Sequence, residues 1–139
     1  WIDTLYKPRY STRYKLPLYL SAVSAGFPLP GDDHVEQRLD LNDLIEHPAA
    51  TFFARVSGDS MQNAGIFHGD IAVVSRALEP ADGRVVVAVV NGEMLIKRIS
   101  QQGDRLFLLA ENPDYPPLEI TDGMDFHVWG VVTTVVHRV

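Results

Sequence analysis

The 139-residue chain contains no cysteine. That excludes a disulfide framework, a thiolate metal site and a thiol nucleophile together, and it fits a reducing compartment. Long hydrophobic runs are also missing. The longest, "VVVAVV" at Val85–Val90, falls far short of the roughly 20 apolar residues that a membrane helix needs. Lys7 and Arg9 are not followed by an apolar stretch long enough for a signal peptide. Positive charge is scarce as well. Twelve Lys and Arg against 18 Asp and Glu leave a net charge of −6, a poor balance for binding phosphate. Direct sequence-specific DNA binding is not expected, although a local patch can oppose the net sign. No His pair has the HExxH spacing, and without cysteine no metal site or other cofactor is expected.

What is present fits one soluble globular domain. The hydrophobic fraction is 46% and the length is that of a single core-forming unit. The chain begins at Trp1 rather than Met, which leaves room for native residues before it.

Residues 1–33 differ from the remainder. Pro8, Pro17, Pro28 and Pro30 deny this stretch long helices and central strands. It reads as an extended N-terminal arm, with a disordered tail as the alternative. The apolar segment "LPLYLSAVSAGF" (16–27) favours an arm that finds a surface. The stretch 32–47, "DDHVEQRLDLNDLIEH", has roughly helical apolar spacing and predicts one short helix, capped by Asp32 or Asp33 and closed by Pro48. Asp40 and Asn42 are positioned to split it into two short turns.

From residue 51 the pattern is β. The runs 51–57, 70–76, 84–91, 93–100, 105–112 and 126–139 are rich in Val, Ile, Leu and Phe and are bounded by turn formers. Asn91-Gly92 between two apolar runs is a strong hairpin signal, and 101–104 predicts a second hairpin. The expected architecture is mostly β: a compact antiparallel domain over 34–139 with one short helix, preceded by the arm over 1–33.

Within "FFARVSGDSMQNAGIFHGD" (52–70), Ser60 follows a strand in a polar turn. A serine attacks only when a base takes its proton. His68 is near in sequence but reads more simply as a turn histidine. Lys97 is the stronger candidate. In a strand it shares a face with Leu95 and Ile99, and a desolvated lysine moves toward the neutral amine that can act as a base. The alternative is an edge strand from which Lys97 snorkels to water.

The combination of "SGDSM" (57–61), "GIFHGDIAVV" (65–74) and "NGEMLIKRI" (91–99) resembles the LexA/UmuD-type self-cleaving serine peptidases. The likeness runs over about residues 20–139 and is greatest to the UmuD branch, the SOS mutagenesis proteins with their plasmid-borne relatives. The resemblance implies a LexA/signal-peptidase-like β fold. It makes Ser60 the nucleophile and Lys97 the general base, with Gly58 and Asp59 in the presenting turn and the Ser60 backbone N–H as an oxyanion donor. Met61 matches a packing position beside the nucleophile.

The same resemblance makes the chain its own substrate, cut between Ala25 and Gly26. It further implies a homodimer, stimulation by the RecA–single-stranded-DNA filament, a Y-family polymerase subunit of the UmuC kind as partner, and a bacterial cytoplasmic setting. The apolar run 126–139 is expected either at a dimer interface or as a core strand. Repressors of the wider family carry a helix-turn-helix domain before the cut. Only 25 proline-rich residues precede Gly26 here, so DNA repression is not expected of this sequence. A non-enzymatic polymerase accessory module is a further alternative. A signal peptidase shares the Ser-Lys chemistry but would carry a membrane anchor.

Overall fold

A computed structural model of the chain describes residues 2–6, 16–19 and 35–139. In chain order the strands are β1 (Ile2–Tyr6), β2 (Leu16–Tyr19), β3 (Val35–Leu39), β4 (Thr51–Val56), β5 (Ile71–Ser75), β6 (Val85–Val90), β7 (Glu93–Gln102), β8 (Arg105–Leu109), β9 (Leu118–Ile120) and β10 (Phe126–Val136). The described residues fall into two units. One holds β1 with Ala49–Val139, and the other holds β2, β3 and the residues up to Pro48. The larger unit is one eight-stranded antiparallel sheet in the order β1-β4-β5-β10-β6-β7-β8-β9; β2 and β3 form a separate two-stranded ribbon. The fold is therefore mostly antiparallel β, as the sequence predicts. No described helix is long and apolar enough to cross a membrane.

The β6–β7 hairpin organises the larger unit. Val90 pairs with Glu93 across Asn91-Gly92, and both turn residues have positive φ, 49° and 84°. This is the tight two-residue connection whose twist matches the flanking strands. The unbroken apolar run of β6 has a simple cause: the strand is buried on both faces. Val86, Ala88 and Val90 enter one hydrophobic cluster with Ile99, Leu108 and Val131. Val87 enters the other with Ala54, Val56, Met61, Ile66, Val74 and Ile96. Each buried Val, Leu, Ile or Met of these clusters stabilises the fold by roughly 1.5–3 kcal/mol relative to exposure.

The C-terminal run is a central strand. The first part of β10 pairs with β6 and the second with β5, with register shifts near Gly130 and between Val132 and Thr134. Its length serves two partners, so of the two roles expected for it the core strand is realised. A Cβ placed on Gly130 would stand 2.6 Å from Val74 Cγ1 and 3.1 Å from the Ser75 carbonyl oxygen. Gly130→Ala is thus overpacked against a fully buried valine and a fixed backbone. It should lower stability by about 1–3 kcal/mol, read as a lower urea midpoint at unchanged slope.

One expectation needs correction. The helix over 32–47 does not form as one helix. Val35–Leu39 is the strand β3, paired with β2, and only Leu41–Leu44 is helical, as a single 3-10 turn. Asp40 causes the break. Its Oδ1 accepts from Asn42 N at 2.9 Å while Asp43 Oδ2 accepts from Asp40 N at 3.1 Å. This capping box starts a turn in the middle of the apparent helical pattern. The arm, in turn, contributes β1, an edge strand on β4 with Ile2 opposite Val56, and β2, in which Pro17 is tolerated because a two-stranded ribbon has only edges.

Candidate active site

The Ser60 turn is built directly on the end of β4. Val56 closes the strand by donating its N–H to the Asp70 carbonyl at 2.8 Å and accepting from Gly69 N at 2.8 Å. Gly58 then turns the chain with φ of 87°, a left-handed conformation that side chains disfavour. Met61, 1% exposed, plugs into the hydrophobic cluster, and a 3-10 turn follows at Gln62–Ala64. Ser60 is thereby held between a strand end and a buried anchor, and is itself 7% exposed.

Other groups fix the same turn. His68 Nδ1 accepts the Gly58 N–H at 3.0 Å. This requires a ring that is neutral at Nδ1 and supports the reading of His68 as a turn residue. Asn112 Nδ2 donates to the Asp59 carbonyl at 2.9 Å, and the Tyr115 hydroxyl donates to Asp59 Oδ1 at 2.6 Å. Asn63 N donates to the Glu111 carbonyl at 2.9 Å. Among the described residues neither the Ser60 hydroxyl nor its backbone N–H has a hydrogen-bond partner. Both are free of structural duty.

Lys97 lies on β7 opposite Val86, a fully buried residue of the second cluster. It shares a face with Leu95 and Ile99, as the alternation predicts. A cleft of about 600 Å³ opens between this face and the serine turn. Residues 57–60 form one wall and Leu95, Lys97 and Leu108 the other, with Tyr115, Pro116 and Leu118 along the side. Ser60 and Lys97 thus line one cavity.

Lys97 Nζ stands 5.1 Å from the Tyr115 ring centroid, and no carboxylate pairs with it among the described residues. Burial pushes its amine below the usual lysine range, because an ammonium loses hydration here without gaining a counter-charge. An amine whose neutral form is favoured by burial, lining the same cleft as an uncommitted serine hydroxyl, is the kind of pair that can accept a proton and release it again.

The remaining expected residues are placed as follows. Asp59 lines the cleft and anchors the turn. The N–H of Gly58 is taken by His68, which leaves the Ser60 N–H as an open donor. Ala25 and Gly26 lie outside the described residues, as does His34. His137 is bound to Asp70 at 2.6 Å, away from the cleft lining. No group of three or more metal-ligating side chains gathers among the described residues.

Sequence reading missed Tyr115 and Asn112. The available signal was "ENPDYPP" (111–117), where three prolines forbid a continuing strand. An aromatic in such a loop has no place in a sheet face and must find another contact.

Comparison with known proteins gives the family. A family model described as "Peptidase S24-like" matches residues 17–133. Protein ImpA of Salmonella typhimurium is 41% identical over 140 residues, covering 94% of this chain and 90% of ImpA. Protein MucA of Escherichia coli is 38% identical over 134 residues, covering 95% and 91%. The LexA repressor of a Shewanella strain is 41% identical over 107 residues, covering 77% of this chain and 52% of the repressor. With the family model spanning most of the chain and relatives aligned nearly end to end, the chain belongs to the S24-like peptidase family.

Proposed function

We propose that this protein is a serine peptidase that cleaves its own N-terminal arm between Ala25 and Gly26, using Ser60 as nucleophile and Lys97 as general base. The observation that carries the proposal is the shared cleft: an uncommitted serine and a desolvated, unpaired lysine line the same cavity. In the reaction, Lys97 Nζ takes the Ser60 proton as Oγ bonds to the Ala25 carbonyl carbon. The Ser60 N–H stabilises the oxyanion. The C–N bond to Gly26 breaks and its nitrogen takes the proton from Lys97. Water then hydrolyses the acyl-enzyme with Lys97 again accepting the proton. The single methyl of Ala25 and the lack of a side chain at Gly26 let the scissile bond approach closely. In this reading 1–33 is the arm that carries the substrate bond and 34–139 the peptidase body.

The biological reading is SOS mutagenesis in the bacterial cytoplasm. It rests on relatives of ImpA and MucA type that match over nine-tenths of this chain and their own. The RecA–single-stranded-DNA filament favours the docked arm, a population shift. The processed homodimer then joins a Y-family polymerase subunit. The LexA match supports a second reading, the peptidase domain of a repressor. Near-complete coverage of ImpA and MucA favours the first.

The test is intact mass after incubation with a RecA filament on single-stranded DNA. Fragments 1–25 and 26–139 are expected; an intact chain with the filament present and at alkaline pH would overturn the peptidase reading. Capture of a Y-family polymerase subunit by 26–139 is expected under the first reading, and its absence favours the second.

A further inference from the structure

We propose that Tyr115 is a positioning residue that acts on both halves of the site: its hydroxyl holds the nucleophile turn through Asp59, and its ring shields the Lys97 amine from water. The inference rests on the Ser60–Lys97 reading and deepens it. The loop that carries Tyr115 is itself firmly held. Asn112, 4% exposed, caps it by accepting Asp114 N at 3.0 Å on Oδ1, while Tyr115 N donates to the Asn112 carbonyl at 3.1 Å. From this base the side chain reaches both Asp59 Oδ1, at 2.6 Å, and the space over Lys97 Nζ, at 5.1 Å. Among the described residues it alone has both a side-chain hydrogen bond to Asp59 and a ring contact with Lys97.

The two jobs pull on different properties. Ring and apolar neighbours take water away from Lys97 and disfavour its charge. The face of the ring attracts an ammonium, whereas burial of the amine pushes it below the ordinary lysine range. The hydroxyl faces the Asp59 carboxylate, and this bond raises Tyr115 above the usual tyrosine value. The two shifts run in opposite directions: burial favours the neutral Lys97 amine, while the bond to Asp59 favours the protonated hydroxyl that holds the turn.

Other charges do not confuse the assignment. Among the described residues, Asp59 and Tyr115 are the other titratable groups that line the cleft with Lys97. On the opposite face of β7 Arg98 is paired with Glu111, and on β8 and β9 Arg105 is paired with Glu119.

The experiment follows the self-cleavage rate of the full chain from pH 6 to 11, together with an NMR titration of the Lys97 side chain that needs no cleavage. Tyr115→Phe keeps the ring and loses the hydroxyl. Its rate should fall about tenfold at every pH, with the Lys97 midpoint unmoved. Tyr115→Ala loses both, and its Lys97 midpoint should rise toward that of a free lysine. Asp59→Asn, which retains a carbonyl acceptor, should keep more of the rate than Asp59→Ala. A wild-type rate in Tyr115→Phe, or a Lys97 midpoint unmoved in Tyr115→Ala, would overturn the proposal. Failure of the wild type to cleave while the Ala variant still shifts the Lys97 midpoint would overturn the peptidase reading and leave the shielding role standing. If neither occurs, both fall.

Discussion

Lys97→Ala is expected to leave the chain uncut at Ala25–Gly26 on the timescale in which the wild type is processed, and to remove the acceleration by alkali. A positioned general base is worth about 10²–10⁴-fold in rate, and nothing else in the cleft replaces it. Asp59 is committed to Tyr115, and His68 spends Nδ1 on Gly58. The sign of the pH dependence follows from the lysine. Its amine is held below the ordinary value by burial, so the neutral fraction, and the rate, rise with pH and level off below the free-lysine value of about 10.4. Lys97→Arg separates proton transfer from charge. A guanidinium stays protonated throughout this range, so Arg at 97 should be as inactive as Ala. Ser60→Ala removes the nucleophile and should abolish cleavage entirely. Intact mass against time at several pH values reads all three. Alkali-dependent cleavage that survives Lys97→Ala would remove the lysine from the mechanism.

Met61→Ala should lower stability by about 2–5 kcal/mol, the usual cost of emptying a large buried aliphatic site. Met61 is 1% exposed and sits among Ala54, Val56, Ile66, Ala72, Val74 and Ile96. With a urea slope of about 1–3 kcal/mol per molar, the midpoint should fall by about 1 M or more. The effect should reach the chemistry too, because Met61 is the anchor next to Ser60 and its loss lets the serine drift from Lys97. Met61→Leu conserves volume and should cost less than about 1.5 kcal/mol. A stability loss without slower cleavage would show that the hydrogen bonds to Gly58 and Asp59 hold the turn alone.

Much of this was legible along the chain. Six strands from residue 51, the Asn91-Gly92 turn and the placing of Lys97 on one strand face with Leu95 and Ile99 follow from nearest-neighbour patterns, where a period of two and a turn former carry the information; that this face is covered rather than open to water came from the structure. The arm was harder. β1 and β2 are edge strands stabilised by a partner strand far along the chain, β4 for the first and β3 for the second. The apparent helix at 32–47 failed for a related reason: pairing with β2 and the Asp40 cap outweighed a weak helical spacing. β9 is three residues long and is defined only by β8 beside it.

The sequence by itself determined that this is a cysteine-free β protein with a serine in a tight turn and a lysine on an apolar strand face, because those are local properties of composition and alternation. Only the tertiary structure decided that Ser60 and Lys97 share a cleft, that His68 Nδ1 is bonded to the Gly58 N–H in the turn, and that Tyr115 contacts both Asp59 and Lys97. Each of these depends on which distant strands and loops are brought together. That is set by the folding of one sheet around two cores, and no stretch of neighbouring residues encodes it.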